Sequence, residues 1–237
     1  MSEIITIILY SLFSGITVFL GGITAGFYEK FREGPLKEEF IHGSIAFGGG
    51  VLVAAVAFVL VPPAITRLSS FYLGVVFLSG ALFFFMADKL ISQKGGMLAQ
   101  LMAMMMDFIP EAIALGAVFA HNNRLGLLLA IFIGLQNLPE SFNAYIDLRN
   151  SGYSAKRCLS LFAPLSLVGV FAAVCGSFLL SDKPILIASL MLFSAGGILY
   201  LIFQDIAPMS RIKNNWIPAL GATLGFFVGI IGKKILG

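Results

Sequence analysis

Long apolar segments dominate this chain and leave it few possible folds. About 20 consecutive apolar residues suffice for a helix to cross the hydrocarbon core of a bilayer, and eight segments of about this length follow one another. They cover residues 4–27, 40–65, 70–92, 97–120, 125–148, 158–181, 184–207 and 215–236. Only 11% of the 237 residues are charged, whereas soluble domains contain about 25%. We therefore predict an all-α membrane protein of eight transmembrane helices, a single polytopic membrane domain over residues 1–237.

The charged loops predict how this domain is oriented. Loops after the first, third, fifth and seventh spans carry ten Lys and Arg residues, and the other side carries five. Because cytoplasmic loops are enriched in Lys and Arg, we expect both termini to be extracytoplasmic, in a plasma or inner membrane. The segment Met1–Tyr10 has no basic region before its apolar residues, so it is interpreted as the first span rather than a cleaved signal peptide.

Two short similarities indicate an internal repeat. The segment Gly48–Leu52 in the second span resembles Ala195–Leu199 in the seventh, and prolines follow both, at Pro62 and Pro208. The first three and the last three spans begin on opposite sides of the membrane. This is the inverted-repeat organisation of many transporters, and it predicts a 3+2+3 arrangement around the fourth and fifth spans.

Several functions are disfavoured by the composition. The net charge is +3, and no basic cluster is interleaved with aromatic residues, so nucleic acid is not an expected partner. Cys158 and Cys175 lie on one predicted helix, roughly 25 Å apart along its axis, and cannot pair with each other. No Walker A motif is present, so any transport would depend on a gradient or a membrane potential.

The fourth and fifth spans each contain a costly hexad. These are Asp107-Phe-Ile-Pro-Glu-Ala112 and Gln136-Asn-Leu-Pro-Glu-Ser141. Proline costs about 3 kcal/mol in a helix interior, and a carboxylate in mid-membrane costs about 2.5 kcal/mol or more. A polar break at residues 121–124 lies halfway between the hexads, so folding there brings both to the same depth. Two unfavourable motifs at the same membrane depth indicate a functional site.

The polar residues of the hexads are spaced for one cleft. Asp107 and Glu111 are four residues apart, as are Gln136 and Glu140, so each pair lies on one helix face. Each proline also frees a backbone carbonyl one turn earlier. Three clustered carboxylates repel and require protons or a cation. The spacing therefore predicts a mid-membrane metal site, with protonated, hydrogen-bonded carboxyls as the structural alternative.

The two hexads resemble the paired metal-binding motifs of the Zrt/Irt-like (ZIP) family of divalent metal transporters. In that family the fourth helix carries H-N-x-P-E-G and the fifth carries [HQ]-[ND]-x-P-E-G. Further similarity lies at Phe47–Ile65, Asn137–Tyr153 and Gly196–Pro208, so the resemblance covers essentially the whole chain. It implies eight helices with both ends outside, divalent metal transport and a possible homodimer.

The chain departs from the family pattern at several positions. Asp107 replaces His, Phe108 replaces Asn, and the sixth-span segment Ser166–Val170 lacks the usual Glu. In the seventh span Gln204 and Asp205 replace a Glu-Glu pair. The resemblance implies a second, adjacent metal site that would need a ligand at position 108. Because Phe108 offers no ligand atom, a site for a single ion is expected.

The resemblance implies a definite set of functional residues. The metal site would comprise Asp107, Glu111, Gln136, Glu140 and Asn137, with Asp205 and Gln204 as possible pathway residues. This set has oxygen ligands and no imidazole, so it favours Mn²⁺ and Fe²⁺ over Zn²⁺ more than a site with histidine would. Zn²⁺ also accepts carboxylate ligands. His42 and His121 stand at helix ends and are weaker ligand candidates, while Asp88 and Asp147 are interpreted as solvated helix ends.

The expected function is secondary transport that imports a divalent transition-metal ion (Zn²⁺, Fe²⁺ or Mn²⁺) as substrate, with no permanently bound cofactor and no enzymatic activity. One alternative is a degenerate ZIP-like protein that binds metal without transporting it, as a sensor or partner subunit. Another is an intramembrane protease, which requires a His-containing zinc set or a Ser/Lys or paired-Asp arrangement. Neither histidine lies in mid-span, which argues against it.

Overall fold

A computed structural model describes residues 3–30, 34–94, 96–119 and 122–236, and every regular element in these ranges is helical. The helices are α1 (Glu3–Tyr28), α2 (Pro35–Ala55), α3 (Pro62–Ile65), α4 (Ser70–Lys94), α5 (Gly96–Phe119), α6 (Asn123–Asn150), α7 (Ala155–Leu180), α8 (Pro184–Leu201), α9 (Ala207–Ser210) and α10 (Ile217–Leu236). The predicted all-helical class is confirmed.

Seven helical segments of the described chain are long and apolar enough to cross a membrane. They are Glu3–Tyr28, Leu36–Ile65, Ser70–Gln93, Asn123–Asn150, Ala155–Leu180, Pro184–Ser210 and Ile217–Leu236. These segments are characteristic of an integral membrane protein. Helix α5, which corresponds to the fourth predicted span, is not among the seven. The count of eight spans and the 3+2+3 arrangement therefore remain predictions.

Two π-helical turns interrupt the second and seventh predicted spans. Val56–Leu60 joins α2 to α3, and Ile202–Ile206 joins α8 to α9. Each lies just before a proline, Pro62 or Pro208, which cannot donate a backbone hydrogen bond to the preceding turn. π-Turns of this kind are rare and often occur at functional sites. Each π-turn follows one of the two similar segments, Gly48–Leu52 and Ala195–Leu199, as the predicted repeat would require. The repeat itself remains a prediction.

The helices pack in two groups. In the first, α1 lies along α6 and α7, and α5 packs against α6 and α7; in the second, α2 lies along α10 and α4 along α8. Glycines set the closest approaches: a Cβ added at Gly21 would lie 2.0 Å from Ser141 Oγ, and one at Gly50 would lie 2.0 Å from the carbonyl oxygen of Ala222. Such contacts between small residues hold membrane helices together by van der Waals packing.

The two ends of the bundle differ. We call the end with the α1–α2, α4–α5 and α6–α7 connections the basic end, because the positive-inside count assigns it to the cytoplasm. Toward the opposite end, the helices enclose a dry apolar core that includes Val59, Leu115, Phe119, Leu129 and Phe132, all buried. The hexads lie between this core and the basic end.

Candidate metal site

The structure brings the two hexads together as two side-chain pairs. Gln136 Nε2 on α6 donates a hydrogen bond of 2.5 Å to Glu111 Oε2 on α5. One turn nearer the basic end, the side chains of Asp107 and Glu140 lie close enough to interact with each other. The antiparallel register of α5 and α6 thus places the two hexads side by side, as the predicted fold near residues 121–124 requires, with Glu111 one turn deeper than Glu140.

The Glu111–Gln136 pair leaves two buried oxygens available. Glu111 and Gln136 are each 0% exposed, and Asp107 is 4% exposed. Within the described part of the chain, Glu111 Oε1 and Gln136 Oε1 have no hydrogen-bond partner. A buried polar atom without a partner costs roughly 1–3 kcal/mol, and more when it is charged. These two oxygens are therefore acceptors suited to a cation.

Asn137 is occupied elsewhere. Its Nδ2 donates a hydrogen bond of 3.1 Å to the carbonyl oxygen of Ser14 on α1, and the neighbouring Ser141 Oγ donates to the carbonyl oxygen of Asn137. These bonds lie on the face of α6 that packs against α1. Although the motif names Asn137 as a metal residue, its amide in this structure serves helix packing.

The side of the site that faces α7 is apolar. The ring of Phe108 is buried and fills the space above Gly169, where an added Cβ would lie 2.3 Å from Phe108 Cζ. Ser166 donates its hydroxyl to the carbonyl oxygen of Phe162 in its own helix. The sixth predicted span therefore presents apolar packing and no carboxylate to the site, in line with its lack of a Glu.

A cavity of about 370 Å³ leads from the Asp107–Glu140 pair toward the basic end. Five carboxylate side chains line it, namely Asp88, Asp107, Glu140, Asp147 and Asp205. Glu111 and Gln136 do not line it, and they lie one turn deeper. The cavity therefore ends at the outer of the two pairs, between the acidic mouth and the buried acceptors.

The mouth of the cavity corrects part of the sequence interpretation. Asp88 and Asp147, interpreted as solvated helix ends, are half-buried cavity residues. Asp88 accepts hydrogen bonds from Tyr200, at 2.9 Å, and from Ser92, at 3.1 Å. The spacing contained a usable signal, because Glu140, Asn143 and Asp147 share one face of α6, and all three line the cavity.

The two predicted pathway residues separate. Both lie in the π-turn Ile202–Ile206. Asp205 is half-buried and lines the cavity, whereas Gln204 is exposed and does not. Neighbouring residues of a helix point about 100° apart, so Asp205 reaches the cavity while Gln204 does not.

The histidines do not join the site. His42 Nδ1 donates a hydrogen bond of 2.7 Å to the carbonyl oxygen of Met209, which bridges α2 and α9 at the cavity mouth. His121 lies outside the described residues. Among those residues, no group of three or more His, Cys, Asp or Glu side chains is gathered closely enough to hold a metal ion as it stands. Instead, Glu111 pairs with the amide of Gln136, and Asp107 lies beside Glu140.

Comparison with known proteins gives one informative relative. No family model matches the chain. The chain is similar to the zinc transporter GufA of Myxococcus xanthus, with 35% identity over 138 residues, covering 57% of this chain and 54% of the relative. It thus spans about half the length of the curated relative that it matches. This similarity to a zinc transporter agrees with the resemblance to ZIP metal transporters that the paired hexads carry.

Proposed function

We propose that this chain is a secondary transporter that carries a divalent transition-metal ion, Zn²⁺, Fe²⁺ or Mn²⁺, into the cytoplasm. The observation that carries the proposal is the buried Glu111–Gln136 pair, whose two available oxygens lie one turn beyond the cavity end. Carboxylate and amide oxygens are suitable ligands for these ions. The similarity to a zinc transporter supports metal as the substrate.

Ion binding would convert the two pairs into one ligand set. Asp107 and Glu140 lie close together, and two neighbouring carboxyls avoid mutual repulsion when one of them carries a proton. An arriving cation displaces it, separates the pair and gains Glu111 and Gln136 as further ligands. Metal entry and proton release are therefore linked at this site.

The helix groups supply a route for alternating access. The cavity reaches the site from the basic end, while the apolar core seals the opposite end. Helices α1, α5, α6 and α7 would move as one body against α2, α4, α8 and α10. Gly48 on α2 faces Pro139 of the second hexad, where an added Cβ would lie 2.7 Å from Pro139 Cγ. At this close contact, which has no side chain on α2, the two groups would move past each other.

The ligand chemistry favours one hard or borderline ion. The four proposed ligands, Asp107, Glu111, Gln136 and Glu140, offer only oxygen atoms, and the wall formed by Phe108 and Gly169 offers none. Such a ligand set prefers Mn²⁺ and Fe²⁺ to Zn²⁺ more strongly than a site that contains histidine does. Extracytoplasmic termini and a homodimer are further parts of the proposal that the family resemblance implies.

A second candidate is a protein that binds metal without transporting it. The separate pairing of the carboxylates and the apolar α7 wall favour this candidate, because neither provides a complete site in the present conformation. Both candidates bind metal, but only the transporter moves it across the membrane, so an uptake experiment distinguishes them.

The test is uptake of Zn²⁺ or Mn²⁺ into proteoliposomes, measured with a trapped metal-sensitive dye. Glu111→Gln and Glu140→Gln keep side-chain size but remove a charge, and we expect each to lower uptake by roughly 10–100-fold. Asp182→Asn, at an exposed turn between α7 and α8, is the matched control and should transport normally. Equal uptake by all four proteins would refute the site, and metal binding without uptake by the wild type would establish the second candidate.

A further inference from the structure

A second large cavity, of about 790 Å³, lies on the flank of the molecule between α1, α2, α6 and α10. We call it the flank groove. Its walls include Phe13, Phe27, Phe47, Leu138, Leu220 and Leu224. Leu138 is 39% exposed and Leu224 is 49% exposed, so the groove opens sideways from membrane-spanning helices. Its opening therefore faces the hydrocarbon of the bilayer.

The basic end of the flank groove carries two cations. Lys30 Nζ lies 5.3 Å from the ring centre of Phe27, and Lys37 Nζ lies 4.8 Å from that of Tyr28. Both rings line the groove. The groove also has one carboxylate, Glu39, which accepts a hydrogen bond of 2.8 Å from Asn215. Lysines held on aromatic rings at the membrane surface are placed to meet a lipid phosphate.

We propose that the flank groove binds one anionic phospholipid, with an acyl chain along α1 and α10 and its phosphate at Lys30 and Lys37. An acyl chain in the groove makes dispersion contacts with the apolar lining atoms. Basic residues at the cytoplasmic surface attract anionic headgroups. The lysines therefore select the headgroup, and the groove holds the chain.

The shape of the groove favours a lipid over a second copy of the protein. At the basic end Tyr28 bridges α1 and α2, since its hydroxyl donates to the carbonyl oxygen of Lys37 and its ring lies 6.0 Å from that of Phe40. This bridge closes the basic end of the groove beside Lys37. A helix from another copy is about 10 Å across, whereas a single acyl chain is much narrower, and only the lipid brings a phosphate to the two lysines.

The test is native mass spectrometry of the full chain released from vesicles of equal phosphatidylglycerol and phosphatidylcholine. We expect one retained phosphatidylglycerol per chain. Lys30→Gln/Lys37→Gln should lower its retention by roughly tenfold or more, at about a few-fold for each basic residue. The control Lys233→Gln/Lys234→Gln, at the far end of α10, should retain it. Equal retention of both lipids by the wild type would overturn the proposal.

A second pair of variants tests the groove itself. Leu224→Trp fills it from α10 and should abolish retention of the lipid, whereas Leu78→Trp places the same side chain on the exposed face of α4 and should not. Retention unchanged by Leu224→Trp, or a dimer that disappears in this variant, would overturn the proposal. The readout does not involve metal, so it succeeds or fails separately from the transport proposal.

Discussion

At the residue scale, neighbouring amides of the second hexad have different roles. Gln136 pairs with Glu111 and retains a buried oxygen without a partner, while Asn137 donates to the Ser14 carbonyl. The sequence motif treats both as metal residues. Their side chains point to different helices, Gln136 to α5 and Asn137 to α1, and only the structure separates them.

This difference predicts different losses in two variants. Gln136→Leu removes a ligand oxygen and the donor to Glu111, so metal affinity should fall by roughly 10–100-fold. Asn137→Ala removes one bond between membrane helices, so stability should fall by about 1 kcal/mol, while affinity is retained. Isothermal titration with Mn²⁺ and thermal unfolding in detergent measure the two effects. An equal loss of affinity in both variants would assign Asn137 to the metal after all.

At the element scale, glycine contacts set the spacing of paired helices. On α4, a Cβ added at Gly80 would lie 2.0 Å from the carbonyl oxygen of Phe193 on α8, whereas one at Gly74 meets no atom within 4 Å. A clash with backbone cannot be relieved by a side-chain rotation, so one helix must shift.

The two glycines of α4 therefore form a matched pair. Gly80→Ala should destabilise the protein by about 1–3 kcal/mol through overpacking. Gly74→Ala should be neutral or stabilising by up to about 1 kcal/mol, because Ala has the higher helix propensity. Thermal unfolding of both variants in the same detergent is the measurement. A similar loss of stability in both would contradict the α4–α8 packing.

The elements were predictable where composition alone decides. The length of the apolar segments predicts the long helices. The π-turns at Val56–Leu60 and Ile202–Ile206 were not predictable, because a residue pattern of period 3.6 does not reveal one extra residue in a turn. The resemblance groups Gln204 and Asp205 as pathway residues because together they replace a Glu-Glu pair, whereas the structure places only Asp205 at the cavity.

At the scale of the whole molecule, the acidic cavity joins residues that are distant in sequence. Asp88, Asp147 and Asp205 come from α4, α6 and the π-turn after α8. The candidate site itself was predictable, because its residues lie in two related hexads on adjacent spans. The mouth was not, because it depends on how the two helix groups pack.

The direction in which the cavity opens is testable by thiol labelling. In a background with Cys158→Ala and Cys175→Ser, Asn143→Cys lines the cavity and Leu129→Cys lies in the apolar core. A membrane-impermeant maleimide should label Asn143→Cys in inside-out vesicles and not in intact cells, because the basic end is assigned to the cytoplasm. Leu129→Cys should remain unlabelled in both. Labelling of Asn143→Cys from the outside alone would reverse the orientation.

The account rests on one claim, that Glu111 and Gln136, together with Asp107 and Glu140, bind a single divalent ion. The direct measurement is anomalous scattering from crystals soaked in Mn²⁺ or Zn²⁺. We predict one peak between α5 and α6, at about 2.0–2.2 Å from carboxylate oxygens for Zn²⁺, with the Asp107–Glu140 contact opened. No peak between these helices, or a peak bound only by Asp88 and Asp205 at the cavity mouth, would contradict it.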